Sequence, residues 1–456
     1  MSTRLTVSVA AAGLASFALL YAPQPVLPQI AAEYGLEPGG ASLAVSAATG
    51  ALAVVVVPVA ALSERVGRRP VILVSVLAAA VLALLLPFAP DYSTFLVLRV
   101  LQGAAVAGVP AAAMAFLADE MRDNLGGAVG AMIAGNSAGG MLGRLLAGTT
   151  ADWLGWRGAL GAAAVFGLLC ACVVAFLLPR PELDRSGSGR LGSDRSVSPR
   201  AARLGMLRRG PRPGGPPDPI IPGSTDNSGG SGLKAALSDP ALLCLYGVAV
   251  LAVGSFISLY NVIGFRLAAL PSWLSSLVFV VYAVGGIASA TAGRLADRHG
   301  RGRVLLVCLG ITAVGALVTI PLVPLGLAIF TGGFFAAHAT ASGWVGSRAP
   351  RHARGQASGL YLCGFYVGSS VLGTTGSAAF GAWGWTGLTA LVVSWLAMAA
   401  VLVQKSRGID TDDSSALRST LPSRGRSSEP DFRPTDTERV SAGTSTTTAD
   451  GNTPPS

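Results

Sequence analysis

The sequence predicts an all-α integral membrane protein whose twelve transmembrane helices form two pseudo-symmetric six-helix bundles. Its composition points to lipid as the solvent: 51% of the 456 residues are hydrophobic and only 12% are charged, against about 25% charged residues in an average soluble domain. The charges are also confined to short clusters between apolar segments. These segments are about 20 residues long, which is the length that a helix needs to cross a ~30 Å hydrocarbon core.

Six apolar segments precede the middle of the chain and six follow it. The first six lie near 7–30, 42–62, 71–89, 94–117, 127–150 and 158–179. The second six lie near 241–263, 273–293, 304–323, 325–346, 356–380 and 385–404. The first apolar segment has only one preceding Arg and continues through three prolines to Ile30, so we interpret it as an uncleaved helix and not as a signal peptide.

Two further segments have the composition of disordered chain. Residues 181–240 are rich in Pro, Gly, Ser and Arg, and residues 405–456 are rich in Ser, Thr and Asp. Both have too little apolar content to form a core. We therefore expect an N-terminal bundle over 1–180, a cytoplasmic linker over 181–240, a C-terminal bundle over 241–404 and a cytoplasmic tail over 405–456.

The distribution of arginine predicts the orientation, since short cytoplasmic loops carry an excess of basic residues. Placing both termini in the cytoplasm gives the short outer loops two basic residues, Arg157 and Arg266. The short inner loops then carry eleven, which are Arg65, Arg68, Arg69, Arg122, Arg294, Arg298, Arg301, Arg303, Arg348, Arg351 and Arg354. The net charge of +10 is thus topological and predicts no nucleic-acid partner. The five cysteines have neither metal-ligand nor disulfide spacing, and we expect no metal site.

One short pattern follows both the second and the eighth predicted spans, over residues 60–69 and 293–303. Each copy has a small residue, three variable residues, an acid, Arg, a variable residue, Gly and Arg. The recurrence at one place in each half predicts parallel repeats. Gly67 and Gly300 suit a sharp reversal, and the arginines suit an anionic membrane surface. Ordinary loop charge would explain the arginines but not the repeated acid and glycine.

These loops resemble the signature loop of the major facilitator superfamily, and Glu64 in place of Asp and Ala60 in place of Gly are mild departures. The resemblance implies a secondary transporter of a small molecule that works by alternating access in the cell inner membrane. It also implies that the loop acids stabilise packing between the halves in one access state. The predicted gating-loop residues are Glu64, Arg65, Gly67, Arg68, Asp297, Arg298, Gly300 and Arg301.

Residues 99–103 and 135–140 resemble motifs of the drug- and metabolite-efflux branch of this superfamily. Three other stretches resemble sugar and multidrug efflux permeases of the arabinose-efflux type, and they are residues 21–28, 259–261 and 334–338. In the stretch 135–140, Asn136 stands where the exporters' pattern has proline. The resemblance implies proton-driven export of a small organic compound, such as a drug, sugar or metabolite, with the proton as coupling ion and no other cofactor.

Three ionisable side chains fall inside predicted spans, where an Arg at the centre of a helix costs roughly 2.5–3.5 kcal/mol. We expect Arg99 either to act in proton coupling or in hydrogen bonding between helices, or to extend to the membrane–water interface. Arg144 either ties to a backbone carbonyl or binds an anionic substrate group. His338 is either a proton carrier or a neutral side chain bonded between helices. Since the sequence has no Asp or Glu near the middle of any predicted span, His338 is the leading carrier.

Polar side chains in the spans are candidates for the substrate cavity, although each also suits a plain helix–helix hydrogen bond. Gln24 and Asn261 stand out because they lie in the first helix of each half. The candidates are Tyr21, Gln24, Gln102, Asn136, Tyr260, Asn261, Tyr361 and Tyr366.

The leading functional hypothesis is a proton-coupled exporter that acts as a monomer. Uptake, or exchange of an anionic metabolite bound by Arg99 and Arg144, is the alternative within transport. A membrane-embedded enzyme is disfavoured because the three histidines, His299, His338 and His352, are not placed as a catalytic or metal set. A receptor or scaffold that acts through the linker and tail is the alternative from a different class.

Overall fold

The computed structural model describes residues 2–120, 125–178 and 228–420, and within these ranges the regular structure is helical. The helices of the first half are α1 (Ser2–Tyr21), α2 (Leu27–Tyr34), α3 (Pro38–Val66), α4 (Arg68–Leu85), α5 (Tyr92–Val106), α6 (Gly108–Glu120) and α7 (Leu125–Leu177). Those that follow are α8 (Ser228–Ser238), α9 (Pro240–Arg266), α10 (Ser272–Ser276), α11 (Tyr282–His299), α12 (Arg301–Val318), α13 (Val323–Arg348), α14 (Arg354–Val367) and α15 (Gly373–Thr420).

The described helices account for twelve membrane crossings, as the sequence predicts. Ten continuous segments are long and apolar enough to cross a membrane. Two of them, Ala131–Leu177 and Arg354–Ile409, have 47 and 56 residues, or about 70 and 84 Å of helix at about 1.5 Å per residue. Each crosses twice, because the chain reverses at Gly155 (φ 64°) and at Gly384 (φ 66°). Positive φ is open to glycine and costly for other residues.

The repeated loops adopt the sharp reversal that their glycines predict. Gly67 ends α3 with φ 98°, and Gly300 ends α11 with φ 87°. We call the membrane face that carries these two loops the loop face, and the opposite one the far face. Glu64 and Arg65 are exposed there, as are Asp297 and Arg298.

The halves meet from mid-span to the far face. Near the middle, Cys363 Sγ lies 3.6 Å from the carbonyl oxygen of Ala53. Further out, Ser370 Oγ donates to the carbonyl of Ser46 over 2.8 Å. At the far face, the backbone N–H groups of Ser272 and Trp273 donate to Asp152. The far face is therefore closed.

In this conformation the acids of the repeated loops, Glu64 and Asp297, do not connect the two halves within the described ranges. Asp297 pairs with Arg301 of its own half at 3.7 Å. Among the described residues, neither Glu64 nor Asp297 bonds to the other half. Their role in holding the halves together in one access state therefore stays a prediction.

Small residues let helices of one half pack at backbone distance. A Cβ at Gly143 in α7 would lie 2.5 Å from Cα of Ala18 in α1. A Cβ at Gly315 in α12 would lie 2.6 Å from Cα of Phe330 in α13. Because lipid tails are as apolar as side chains, such close packing replaces the hydrophobic effect as the force between helices.

Two predicted disordered segments are partly helical. α8 lies inside the predicted linker, where Ala236 is buried and Tyr246 donates to its carbonyl. Asp239 caps α9 and pairs with Arg348 at 2.8 Å. These contacts order a segment of low apolar content, so the prediction of disorder over 181–240 is wrong for 228–238; residues 179–227 lie outside the described part of the chain.

The predicted tail is corrected in the same way at its start. α15 continues past the predicted end of its span at 404 to Thr420. Ser406 is buried and donates to the carbonyl of Ala241. The contact of Ser406 with α9 accounts for order at the start of the predicted tail. Residues 421–456 lie outside the described ranges.

Candidate functional site

Arg144 lies in the first part of α7, before the reversal at Gly155, and only 1% of it is exposed. Its Nε donates to Gln24 Oε1 over 2.5 Å, and its Nη1 donates to the carbonyl of Gly140 over 2.5 Å. The predicted backbone tie is therefore present. It uses only part of the guanidinium, because no described residue accepts a hydrogen bond from Nη2.

Aromatic rings surround the Arg144 guanidinium. Its Cζ lies 4.4 Å from the ring centroid of Tyr21, 4.7 Å from Tyr282 and 5.5 Å from Phe279. Ring faces attract a cation, and desolvation strengthens that attraction. The described residues supply no carboxylate in ion-pair contact with Arg144. A buried cation thus has aromatic partners but no counter-ion.

Gln24 carries this arrangement across the boundary between the halves. It opens a short 3-10 turn, Gln24–Val26, that interrupts the first membrane span. Pro23, Pro25 and Pro28 remove N–H donors that a continuous helix needs there. The turn leaves the buried Gln24 facing α9, where its Nε2 donates to Asn261 Oδ1 over 2.6 Å. Arg144, Gln24 and Asn261 therefore form one hydrogen-bonded chain.

Several buried polar atoms around this chain have no hydrogen-bond partner among the described residues. They are the hydroxyls of Tyr21, Tyr282 and Ser369, with Asn261 Nδ2; Ser46 Oγ is a further such atom in α3. Ser369 lies in the π-helical turn Gly368–Leu372 and neighbours the Tyr21 hydroxyl. A buried polar group without a hydrogen-bond partner costs about 1–3 kcal/mol. A cluster of such groups therefore indicates a binding site for a polar ligand or water. We call Tyr21, Gln24, Arg144, Asn261, Tyr282 and Ser369 the Arg144 site.

Arg99 has a different environment, in which its donors are used inside the protein. It is fully buried in α5, so it does not reach the membrane interface. Its Nε donates to the carbonyl of Ala44 over 2.5 Å, and Nη2 to that of Leu20 over 2.6 Å.

Nη1 of Arg99 bonds to the carbonyl of Leu19 over 3.2 Å and to Gln102 Oε1. The Leu19 carbonyl lacks a helical donor, because Pro23, four residues on, has no N–H. Gln102 in turn donates to the carbonyl of Ala79. Arg99 and Gln102 therefore tie α5 to α1, α3 and α4, which fits the predicted bonding between helices.

His338 lies in α13 and is half-buried. Its Nδ1 lies 3.0 Å from the Tyr361 hydroxyl of α14, which also reaches the His338 carbonyl at 3.4 Å. The rings of Phe334 and Phe365 flank the imidazole at 6.0 and 5.1 Å. Two predicted residues, His338 and Tyr361, are thus partners in a polar pair with an aromatic surround.

The other predicted cavity residues serve packing between helices. Tyr260 shares a 2.6 Å hydrogen bond with Thr331, and Tyr366 is buried with its ring 5.2 Å from that of Phe365. The side chain of Asn136 occupies the place that a Cβ at Gly13 would take, with Cγ at 3.3 Å. Tyr260 also adjoins the Arg144 site, because its ring lies 5.2 Å from that of Tyr282 and 5.8 Å from that of Phe279.

Three residues in or around the site were not among the predicted ones, and they are Phe279, Tyr282 and Ser369. A tyrosine inside a span needs a partner for its hydroxyl, and that requirement was a usable signal for Tyr282. Phe279 resembles any apolar residue of a span, and Ser369 lies among small residues that suit helix packing. Nothing local distinguishes these two.

Twelve crossings in two repeated halves, with a buried polar cluster where the halves meet, define a secondary transporter. The chain belongs to the Major Facilitator Superfamily, whose family model matches residues 9–290 and 268–425. It is thus a multi-pass membrane protein that acts on a small-molecule substrate in the lipid bilayer, and it is not an enzyme.

Relatives from two bacteria match most of the chain. The uncharacterized MFS-type transporter YybF of Bacillus subtilis (strain 168) is 36% identical over 405 residues, which cover 87% of this chain and 91% of the relative. The inner membrane transport protein YnfM of Escherichia coli (strain K12) is 34% identical over 408 residues, which cover 88% and 89%.

Solved structures share the fold. A bacterial homolog of the human lysosomal transporter Spinster, in an inward-facing and unoccupied conformation, has a TM-score of 0.67 at 13% identity, with 89% of this chain and 96% of that one covered. The nucleoside transporter NupG has a TM-score of 0.64 at 12% identity, with 88% and 99% covered. At this identity the likeness concerns the fold alone.

Proposed function

We propose that this protein transports a small organic anion and that Arg144 binds the anionic group. The observation that carries the proposal is the buried Arg144 guanidinium, which has no carboxylate partner among the described residues. A buried charge without a counter-ion is strongly unfavourable. A substrate carboxylate, phosphate or sulfonate would supply that counter-ion.

The unsatisfied groups of the site match the same chemistry. The hydroxyls of Tyr21, Tyr282 and Ser369 and the amide of Asn261 are all able to donate hydrogen bonds. A carboxylate accepts about four, and those from a charged donor are the strongest. A neutral sugar would use the hydroxyls but leave the charge of Arg144 uncompensated, so the site favours an anion over a neutral compound.

The position of the Arg144 site, at a contact between the two halves, suits transport by alternating access. The Gln24–Asn261 hydrogen bond crosses between the halves, and the contact of Asp152 with Ser272 and Trp273 closes the far face. With both termini in the cytoplasm of a bacterial inner membrane, this conformation is closed to the outside. Rocking of the halves would then expose the Arg144 site to either side in turn.

Proton-coupled export is the mode of transport that we favour. The residue that supports proton coupling is His338, because it is an ionisable side chain inside a span and its Nδ1 lies 3.0 Å from the Tyr361 hydroxyl, a partner for a mobile proton. The resemblance to efflux permeases supports the outward direction. In this mode protons enter as the anion leaves, and uptake remains the alternative direction.

The test is transport by the purified protein in proteoliposomes with an imposed pH gradient. Carboxylates, phosphate esters, amines and neutral sugars are screened for flux. Arg144→Gln lowers anion flux by about 10- to 100-fold, as expected for loss of a hydrogen bond to a charged group. The matched control is Arg157→Gln, which removes an Arg paired with Glu33 at the far face. Flux of amines or sugars that is insensitive to Arg144→Gln contradicts the proposal.

A further inference from the structure

A cavity of about 680 Å³ lies on the loop face of the second half, between the α11–α12 loop and the C-terminal part of α15. Its lining residues are separate from the Arg144 site. We call it the loop-face cavity, and it is lined by His299, Gly300, Arg301, Gly302, Arg303, Trp344, Ser347, Gln404, Arg407 and Gly408.

The charge of this lining has one sign, since it has three arginines and no acid. Arg301 is held at the wall by the carbonyl of Gly343 at 2.7 Å and by Ser347 Oγ. Its ion-pair partner Asp297 is 73% exposed and lies outside the lining. The described side chains give Arg303 and Arg407 no ion pair. The cavity is therefore basic and only partly neutralised.

Gly302 makes room for the third arginine. A Cβ at this position would lie 2.5 Å from Cδ of Arg407, so the Arg407 stem crosses directly over the first turn of α12. That turn contributes backbone N–H groups that lack helical acceptors. Arg407, which comes from α15, and Arg303 of α12 thereby face one space together.

The repeated loop of the first half differs from that of the second at the position of Gly302. The residue that corresponds to Gly302 is Arg69, whose Nε donates to the carbonyl of Leu178 over 3.4 Å. Glycine at position 302, which allows the close approach of Arg407, therefore distinguishes the second loop from the first.

We infer that the loop-face cavity binds a phosphate group, and that the phosphate belongs to an anionic phospholipid headgroup. Arginine forks and helix N-termini both match phosphate oxygens. The cavity opens where helices leave the hydrocarbon, and Leu295 and Val307 are exposed on the adjoining helices. Basic pockets at this depth bind anionic headgroups. A bound lipid would connect the α11–α12 loop with α15.

Native mass spectrometry of the full-length protein tests this inference without any transport measurement. The wild type is exchanged into equal amounts of phosphatidylglycerol and phosphatidylethanolamine, and retained lipid is counted after mild activation. The test variant Arg303→Gln/Arg407→Gln removes two charges from the lining. The control variant Arg294→Gln/Lys405→Gln removes two charges from the same face outside it. We expect at least tenfold less phosphatidylglycerol on the test variant and wild-type retention on the control.

Three outcomes overturn the inference. Equal losses on both variants mean general attraction to a basic surface. Equal retention of both lipids by the wild type means that headgroup charge is not recognised. A parallel titration with inorganic phosphate separates the sources: if phosphate binds the wild type but not the test variant, and no phosphatidylglycerol is retained, the phosphate site stands and the lipid assignment fails.

Discussion

The side chain of Gln24 links Arg144 to Asn261, accepting a hydrogen bond from the guanidinium and donating one of 2.6 Å to Asn261 Oδ1. The cation of the first half is thereby joined to the second half through one neutral amide. Under the proposed function, a substrate anion at Arg144 would share the guanidinium with Gln24 Oε1. Binding would then be connected at Gln24 with the contact between the halves.

Replacing Gln24 by Glu tests the anion site with almost no change of shape. The new carboxylate would lie 2.5 Å from Arg144 Nε, at the position of the present Oε1, and supply an internal counter-ion. We expect anion flux to fall by about 10- to 100-fold, the worth of a charged hydrogen bond. Thermal stability is retained if the Asn261 amide turns, so that Nδ2, which has no partner among the described residues, donates to the carboxylate in place of the lost Gln24 donor. Gln29→Glu, at a residue that bonds Ser272 near the far face, is the control. Unchanged flux in the Gln24 variant would mean that Arg144 does not bind substrate.

We expect Arg99 to stabilise the fold and not to bind substrate, because its guanidinium donates its hydrogen bonds to backbone carbonyls and to Gln102. Arg99→Leu leaves the carbonyls of Leu19, Leu20 and Ala44 without this donor. We expect the free energy of unfolding to drop by about 1–3 kcal/mol, the cost of an unsatisfied buried acceptor, because the Leu19 carbonyl then has no donor among the described residues. Thermal unfolding in detergent measures the change, with Arg4→Gln at an exposed position as control. Folded Arg99→Leu should bind substrate with wild-type affinity; a selective loss of binding would return Arg99 to the substrate site.

His338 is the predicted proton carrier, and its partner supplies a second variant. His338→Ala removes the imidazole, whereas Tyr361→Phe removes only the hydroxyl that lies 3.0 Å from Nδ1. We expect His338→Ala to abolish substrate-evoked proton flux while exchange of labelled for unlabelled substrate continues. Tyr361→Phe should retain proton flux at a reduced rate. Proton flux of wild-type size in His338→Ala liposomes would exclude His338 as carrier.

The fold was predictable because apolar length and arginine placement are properties of the chain alone. The twelve spans follow from these two properties, and the reversals at Gly67 and Gly300 follow from the repeated loop pattern. The helix α8 was not predictable in this way, because its order depends on tertiary contacts. Tyr246 of α9 donates to the carbonyl of Ala236, and Arg348, 109 residues further along the chain, pairs with Asp239 directly after α8. Local composition reports the average of a segment and not its tertiary partners.

For the site, the arginine and the two amides were predictable from the sequence, whereas much of their surroundings was not. Arg144, Gln24 and Asn261 stand out because polar groups in lipid are costly. Their assembly depends on a 3-10 turn in the first span and on the meeting of α9 with the first half. Tyr282 and Ser369 enter through the packing of the second half, which no single segment encodes.

Closure of the far face can be tested with a disulfide between the halves. Gly50 of α3 faces Ser370 of the π-helical turn, and a Cβ at Gly50 would lie 3.5 Å from Cβ of Ser370. Disulfide-bonded cysteines have Cβ atoms about 3.5–4.5 Å apart. The variant Gly50→Cys/Ser370→Cys should therefore crosslink under mild oxidation. Because alternating access requires the halves to part here, the oxidised protein should lose transport and regain it on reduction.

The single variants Gly50→Cys and Ser370→Cys control for the substitutions themselves, since neither can form this bond. Mobility shift after proteolysis between the halves, in a background without the five native cysteines, measures the crosslink. Substrate that stabilises an opened far face should slow crosslinking, whereas substrate that binds the present conformation should leave its rate unchanged. Full transport by completely crosslinked protein would show that α3 and the π-helical turn do not separate during the cycle, and alternating access would then require a different moving boundary.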